Sequence, residues 1–165
     1  MLKALAFAVM LPLILTGVAQ AAGTDVAFAG LKTDPTLPVQ VVADQLSVNQ
    51  NDGTALFKGN VVVTQGTMTL AAATVQVEYA ADKKTIAKLL ADGGVKLSAG
   101  TDAASSQTAE YAPETGDLLL TGDVLLTQGA SVISGQKLTL SLKTGLGTMD
   151  GRVTTTFTPA KPKKN

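Results

Sequence analysis

The chain has 165 residues, with 13 basic and 13 acidic side chains and no histidine, cysteine or tryptophan. The even charge balance argues against a basic surface of the kind that holds a nucleic-acid backbone. The missing residue types exclude Cys/His metal centres, thiol nucleophiles, imidazole bases and disulfides together.

In chain order, residues 1–21 read as a secretory signal peptide: Lys3, an apolar run from Leu5 to Val18 broken by Pro12, Thr16 and Gly17, then Ala19-Gln20-Ala21 as a small-x-small cleavage site. The mature chain is then expected to begin at Ala22, without a lipoprotein cysteine, and to carry 12 basic against 13 acidic residues. Residues 22–37 are expected to be irregular, since Pro35 and Pro38 interrupt regular structure. Alternation starts at Val39 and Val41 and resumes on the opposite parity at Leu46 and Val48, which predicts a break near Ala43-Asp44. Asn49 to Gly53 is a turn, and Ala55 and Phe57 share one face. Strands follow over Met68–Leu70 and Ala73–Tyr79. Lys83 to Ala91 has some helical spacing, but the phase of the repeat described below makes it a strand. Gly100 to Gln107 is expected to be a polar, mobile loop. Ala109–Tyr111, the runs Leu118–Leu120 and Val124–Gln128 on either side of a glycine, Gln136–Leu142 and Val153–Phe157 complete the set, and 159–165 read as a disordered basic tail. The domain at 38–158 is thus all-β, with a dozen or more short strands, as a sandwich, a jelly roll or a β-solenoid.

One pattern organises these strands. Gly59-Asn60-Val61-Val62-Val63-Thr64-Gln65-Gly66 returns as Gly122-Asp123-Val124-Leu125-Leu126-Thr127-Gln128-Gly129. Shorter Gly-x-Val units stand at Gly93 and Gly151, so the four glycines step by 34, 29 and 29 residues. Such a period marks a stacked repeat. A glycine between two strand-like runs marks a bulge, where the backbone turns to positive φ.

The chemistry legible in the residues is binding, not catalysis. Glu78 and Glu110 are the only acids inside predicted strands, the other carboxylates fall mostly at turns, and Ser131 and Ser134 lack a histidine partner. No enzyme activity, metal or cofactor is expected. The alternating strands instead offer one aliphatic face: Val39, Val41, Val48, Phe57, Val61, Val63, Val75, Val77, Leu97, Tyr111, Leu118, Leu120, Val124, Leu126, Ile133, Leu138 and Leu140. Such a face is either the core of a closed sandwich or the inner surface of a partly open fold that receives lipid chains.

Pro38-Val39-Gln40-Val41, Ala43-Asp44, the Gly-Asn-Val-x-Val-Thr-Gln-Gly string and Ala73–Val77 together resemble the OstA-like (LptA) family of periplasmic lipopolysaccharide-transport proteins. The resemblance resumes at Tyr111, Leu120–Asp123, Gly135–Thr139 and Arg152–Thr155, and weakens over 83–107. It implies a twisted, open β-jelly roll of short antiparallel strands that binds the lipid A part of lipopolysaccharide on its inner face, with Val39, Val41 and Tyr111 at groove-lining positions. It also implies head-to-tail self-association, with an LptC-like protein at the N-terminal edge and an LptD-like protein at the C-terminal edge. An OstA-like scaffold without lipid cargo is the alternative.

Overall fold

The four Gly-x-Val units lie in line, and three of them are β-bulges. In each, two successive residues take positive φ: 78° and 46° at Gly59-Asn60, 86° and 86° at Gly93-Gly94, 84° and 47° at Gly122-Asp123, 83° and 51° at Gly151-Arg152. Across the ladder, each of the first three pairs faces a single residue of a neighbouring strand, so one strand carries an extra residue and bends, while Gly151-Arg152 lies between two strands. The computed structural model describes residues 24–27, 31, 34, 36–82 and 84–157. The signal peptide and the basic tail expected from the sequence lie outside them.

Eleven antiparallel strands are present among the described residues: β1 Thr24–Ala27, β2 Gln40–Val42, β3 Gln45–Asn49, β4 Thr54–Gln65, β5 Met68–Tyr79, β6 Ile86–Ala99, β7 Asp102–Ala112, β8 Asp117–Gln128, β9 Ser131–Ser141, β10 Leu146–Asp150 and β11 Thr154–Phe157. They form one sheet in the order β1-β10-β9-β8-β7-β6-β5-β4-β2, with β3 also on β4 and β11 also on β9. The strands are fewer and longer than expected because β4, β6 and β8 run through their glycines instead of ending there.

The bulges in β4, β6 and β8, with Gly151-Arg152 beyond β10, align into a crease that crosses every long strand. The crease divides the sheet into two halves. One half is edged by β3 and β1, the other by β2 and β11. Tyr111 on the first half reaches Gln65 on the second (2.5 Å), so the halves face each other across the crease. The break expected at Ala43-Asp44 is where the N-terminal edge passes the crease: the Asp44 N–H donates to the Gly59 carbonyl (3.0 Å), and the Asn60 amide donates to the Asp44 carboxylate (2.9 Å). At the β8 bulge the Asp123 carboxylate accepts from Gln107 (3.0 Å) and Gln136 (3.3 Å), the residues opposite it on both sides.

Two sequence expectations give way. Gly100 to Gln107 is not a loop: only a turn at Gly100-Thr101 precedes β7, whose Asp102, Ala104 and Ser106 are buried. Its period-two pattern is written in small and polar residues, which carry no hydropathy signal. Their size is needed, because Ala104 lies in register between Leu97 and Leu126. The 22–37 segment, expected to be irregular, contributes β1, which takes up the free side of β10. Strand at Lys83–Ala91 holds from Ile86 onward, with Leu89 and Ala91 facing in.

The crease makes different demands of its two glycine positions. A Cβ on Gly93 would sit 2.5 Å from the Ala73 Cβ, whereas one on Gly94 would meet nothing within 4 Å. Asn and Asp, which tolerate left-handed backbone, already hold the second position elsewhere. Gly93→Ala is therefore expected to cost about 2–3 kcal/mol and Gly94→Asn less than about 1 kcal/mol. Thermal denaturation followed by circular dichroism checks the contrast. Equal losses would show that the crease does not depend on close approach of the strands.

Candidate functional site

Strand register sorts the inward side chains into rows that run across the strands, along the crease. One row passes through Leu46, Phe57, Val75, Ala91, Ala109, Leu120, Leu138 and Met149. A parallel row holds Val48, Ala55, Val77, Leu89, Tyr111, Leu118 and Leu140. Beyond the crease, Val41, Val63, Leu70, Leu97, Ala104, Leu126 and Ile133 form a third. The aliphatic face read from the sequence is thus one continuous surface lining a trough.

Of the residues expected there, Val61, Val63, Val75, Val77, Leu97, Tyr111, Leu118, Leu120, Leu126, Leu138 and Leu140 are buried, and Val39, Val41 and Phe57 are half-buried against them. Val48 differs. Its register is inward, but it lies on the edge strand β3 and is 61% exposed. Its neighbour Leu46, in register with Phe57, is 55% exposed and was not singled out by the sequence. At the opposite edge Phe157 lies in register with Ser131 and is 75% exposed. Phe157 stands in the row of Ser131, Gln128 and Asp102, outside the three apolar rows, so the apolar rows surface at the β3 edge.

Between the ends, one stretch of the trough is filled by its own walls. A void of only about 10 Å³ remains among Val63, Met68, Leu70, Val75, Leu89, Ala91, Ala109 and Tyr111. Leu31, from the chain ahead of β2, adds a fully buried side chain to this core. The ladder is open at its edges while this stretch of the interior is packed, with each buried leucine or valine contributing about 1.5–3 kcal/mol. A shallow recess of about 420 Å³ lies elsewhere, with Thr69, Lys96, Ser98, Ala103 and Leu125 in its lining, on the outer face of the sheet.

Polar groups enter the interior at few places. Gln65, from the first Thr-Gln-Gly, is 1% exposed; its Oε1 accepts from the Tyr111 hydroxyl, and its Nε2 donates to the Leu37 carbonyl (2.9 Å). Gln128, from the second copy, donates to the buried Asp102 carboxylate (3.3 Å). Tyr111 itself is 3% exposed, a core residue and not a rim one. The repeat of the motif was the available signal for Gln65, but its chemistry could not be read until the fold brought Tyr111 to it. Glu78 and Glu110 lie on the outer face around Lys88. Glu110 pairs with Lys88 at 2.6 Å and, with a smaller contribution from Glu78, holds its ammonium above the ordinary value. These acids do not converge on a cleft.

Residues 40–146 match the family described as LptA/(LptD N-terminal domain) LPS transport protein. An uncharacterized protein of Rhizobium meliloti (strain 1021) is 30% identical over 163 residues, covering 92% of this chain and 88% of its own length. The crystal structure of LptH, the LptA-homologous periplasmic component of the lipopolysaccharide transport device of Pseudomonas aeruginosa, superposes with a TM-score of 0.70. That match covers 77% of this chain and 99% of LptH at 19% identity, a likeness of fold.

Burial pushes the Tyr111 phenol up to about 12, against a smaller opposing pull from the Gln65 hydrogen bond. A phenol whose folded pKa is raised contributes stability that is intact below its unfolded value of 10.0 and is lost as pH climbs through about 12. In a Tyr79→Phe background, phenolate absorbance should therefore stay low at pH 10 and rise only towards pH 12. Titration at the ordinary value in folded protein would place Tyr111 in water.

Proposed function

Because the chain belongs to the LptA/LptD N-terminal-domain family of lipopolysaccharide-transport proteins, we propose that it is a non-enzymatic periplasmic carrier that takes the acyl chains of lipid A into its trough and stacks head to tail to bridge the two membranes. The observation that carries this reading is the run of apolar rows across the strands, exposed at the β3 edge at Leu46 and Val48.

Entry requires the walls to part. About ten buried methylenes contribute roughly 8 kcal/mol at 0.8 kcal/mol each. The displaced wall contacts re-form on the acyl chain, so the net cost of opening is a fraction of the contacts broken. The charged head group stays outside, since the rows that line the trough are overwhelmingly aliphatic. Passage runs along the crease, from one equivalent row position to the next, so no single site holds the chain tightly.

The edges supply the assembly. β2 and β3 present free ladder groups at the N-terminal edge, and β11 and β1 do so at the C-terminal edge. Free edges are templates for β-augmentation, and a contact between unlike edges does not close on itself. An LptC-like protein fits the N-terminal edge and an LptD-like protein the C-terminal one, with copies of this chain between them. The filled interior favours a second reading, an OstA-like scaffold that pairs edges and carries no lipid.

A photocrosslinking residue at Val41 should yield an adduct with lipopolysaccharide, and one at the outer-face Lys96 should not. Adducts with protein alone from Val41 would favour the scaffold. For stacking, Phe157→Asp should weaken self-association about tenfold or more while leaving thermal stability nearly unchanged, because the side chain is exposed. Analytical ultracentrifugation reads the first effect and calorimetry the second; unaltered association would remove β11 from the interface.

A further inference from the structure

Among the described residues, β4 to β9 cross the crease as continuous strands, and β2-β3 and β10-β11 cross it as interrupted ones. β1 alone does not cross it, pairing with β10 in the first half only. The first half is thus nine strands wide, from β3 to β1, and the second eight, from β2 to β11. Every neighbouring pair is antiparallel. An even count leaves the two edges of a sheet running in opposite directions, so β11 meets β2 of a following copy antiparallel, and β10 meets β3 the same way. With β1 in place the first-half edge runs parallel to β3, the weaker pairing. That edge also stands one strand spacing, about 4.8 Å, beyond the second-half edge. A stack that continues the ladder in both halves leaves no place for β1 on β10.

We propose that β1 is an edge cap: it takes on β10 the place that β3 of a second copy takes in a joint spanning both halves, and it confines a capped chain to joining through β11 and β2. The inference rests on the stacking reading above. The lengths fit the exchange. β3 and β10 have five residues each, and β1 has four. A joint that overlaps all five sets Leu46 of the following copy beside Met149 and Val48 beside Gly147. Met149 and Gly147 are the last β10 members of the rows that pass through Leu138 and Leu140. Such a joint covers both exposed β3 side chains and carries their rows from one copy into the next. Natural sheets cover exposed edges to prevent pairing with other chains, and a strand tethered in the same chain competes at high effective concentration.

The chain has no cysteine, so a pair introduced at the register partners Asp25 and Thr148 locks the cap when oxidised. Oxidation of dilute protein makes that link within one chain. Neighbouring residues of a strand send their N–H groups to opposite sides, so Asp25→Pro with Val26→Pro removes whichever one reaches β10. Sedimentation velocity reads association of the mature chain and both variants, with calorimetry to show that each is folded. The proline pair should associate about tenfold or more tightly than the oxidised cysteine pair, with the wild type between them. A chain starting at residue 28 replaces the proline pair if the latter does not fold. Equal association of all three, or weaker association once β1 is lost, overturns the cap and leaves stacking standing. No association of any folded form overturns the stacking reading and the cap with it.

Discussion

Two consecutive residues in left-handed backbone, repeated at a fixed spacing, are the constraint from which this molecule follows. A long antiparallel ladder twists but stays open, and an open ladder with one greasy face has nothing to bury it against. The paired positive φ values at Gly59-Asn60, Gly93-Gly94 and Gly122-Asp123 insert an extra residue into alternate strands. Because they align, the bends add up to a crease, and the sheet covers its own apolar face. Asp44, Ala73, Gln107 and Gln136 stand against the glycines at the crease, so close that a Cβ there would meet each of them within 3 Å.

The same device makes the interior adaptable. The two halves touch through aliphatic side chains and a buried hydrogen bond between Tyr111 and Gln65, and the chain has no cysteine to lock them with a disulfide. Aliphatic contacts are non-directional and can be exchanged for contacts with a hydrocarbon chain at little net cost. A trough filled by its own walls is in this sense compatible with a carrier: its walls must satisfy each other when no cargo is present. The apolar rows end exposed at the β3 edge because an edge strand has a neighbour on one side only. A second copy is the natural cover for them.

Much of this architecture was legible before any coordinates. The Gly-x-Val spacing located the bends, and the alternation of Val75 with Val77 or Leu138 with Leu140 identified the inward face, because both signals are local and periodic. The misses share a cause. β7 hid behind Asp102, Ala104 and Ser106, whose inward positions demand small size and not hydrophobicity. β1 hid because its partner, β10, is more than a hundred residues away in sequence. Val48 keeps the inward register but lies on an edge strand and is exposed, a distinction that no alternation pattern carries. Gln65 looked like part of a repeated turn. Its meaning depends on the crease bringing Tyr111 from β7 to β4, a contact between residues 46 positions apart.

The claim that the creased sheet exists to hold acyl chains is tested most directly by what the mature chain carries when it is isolated from its own envelope under gentle aqueous extraction. Native mass spectrometry, with fatty-acid analysis of the same sample, should find lipopolysaccharide bound at a constant ratio to protein, and a Leu126→Asp chain should carry none. Folded protein free of acyl chains, from an extract in which lipopolysaccharide is abundant, would contradict the account and leave the fold a scaffold whose apolar rows serve only to hold it shut.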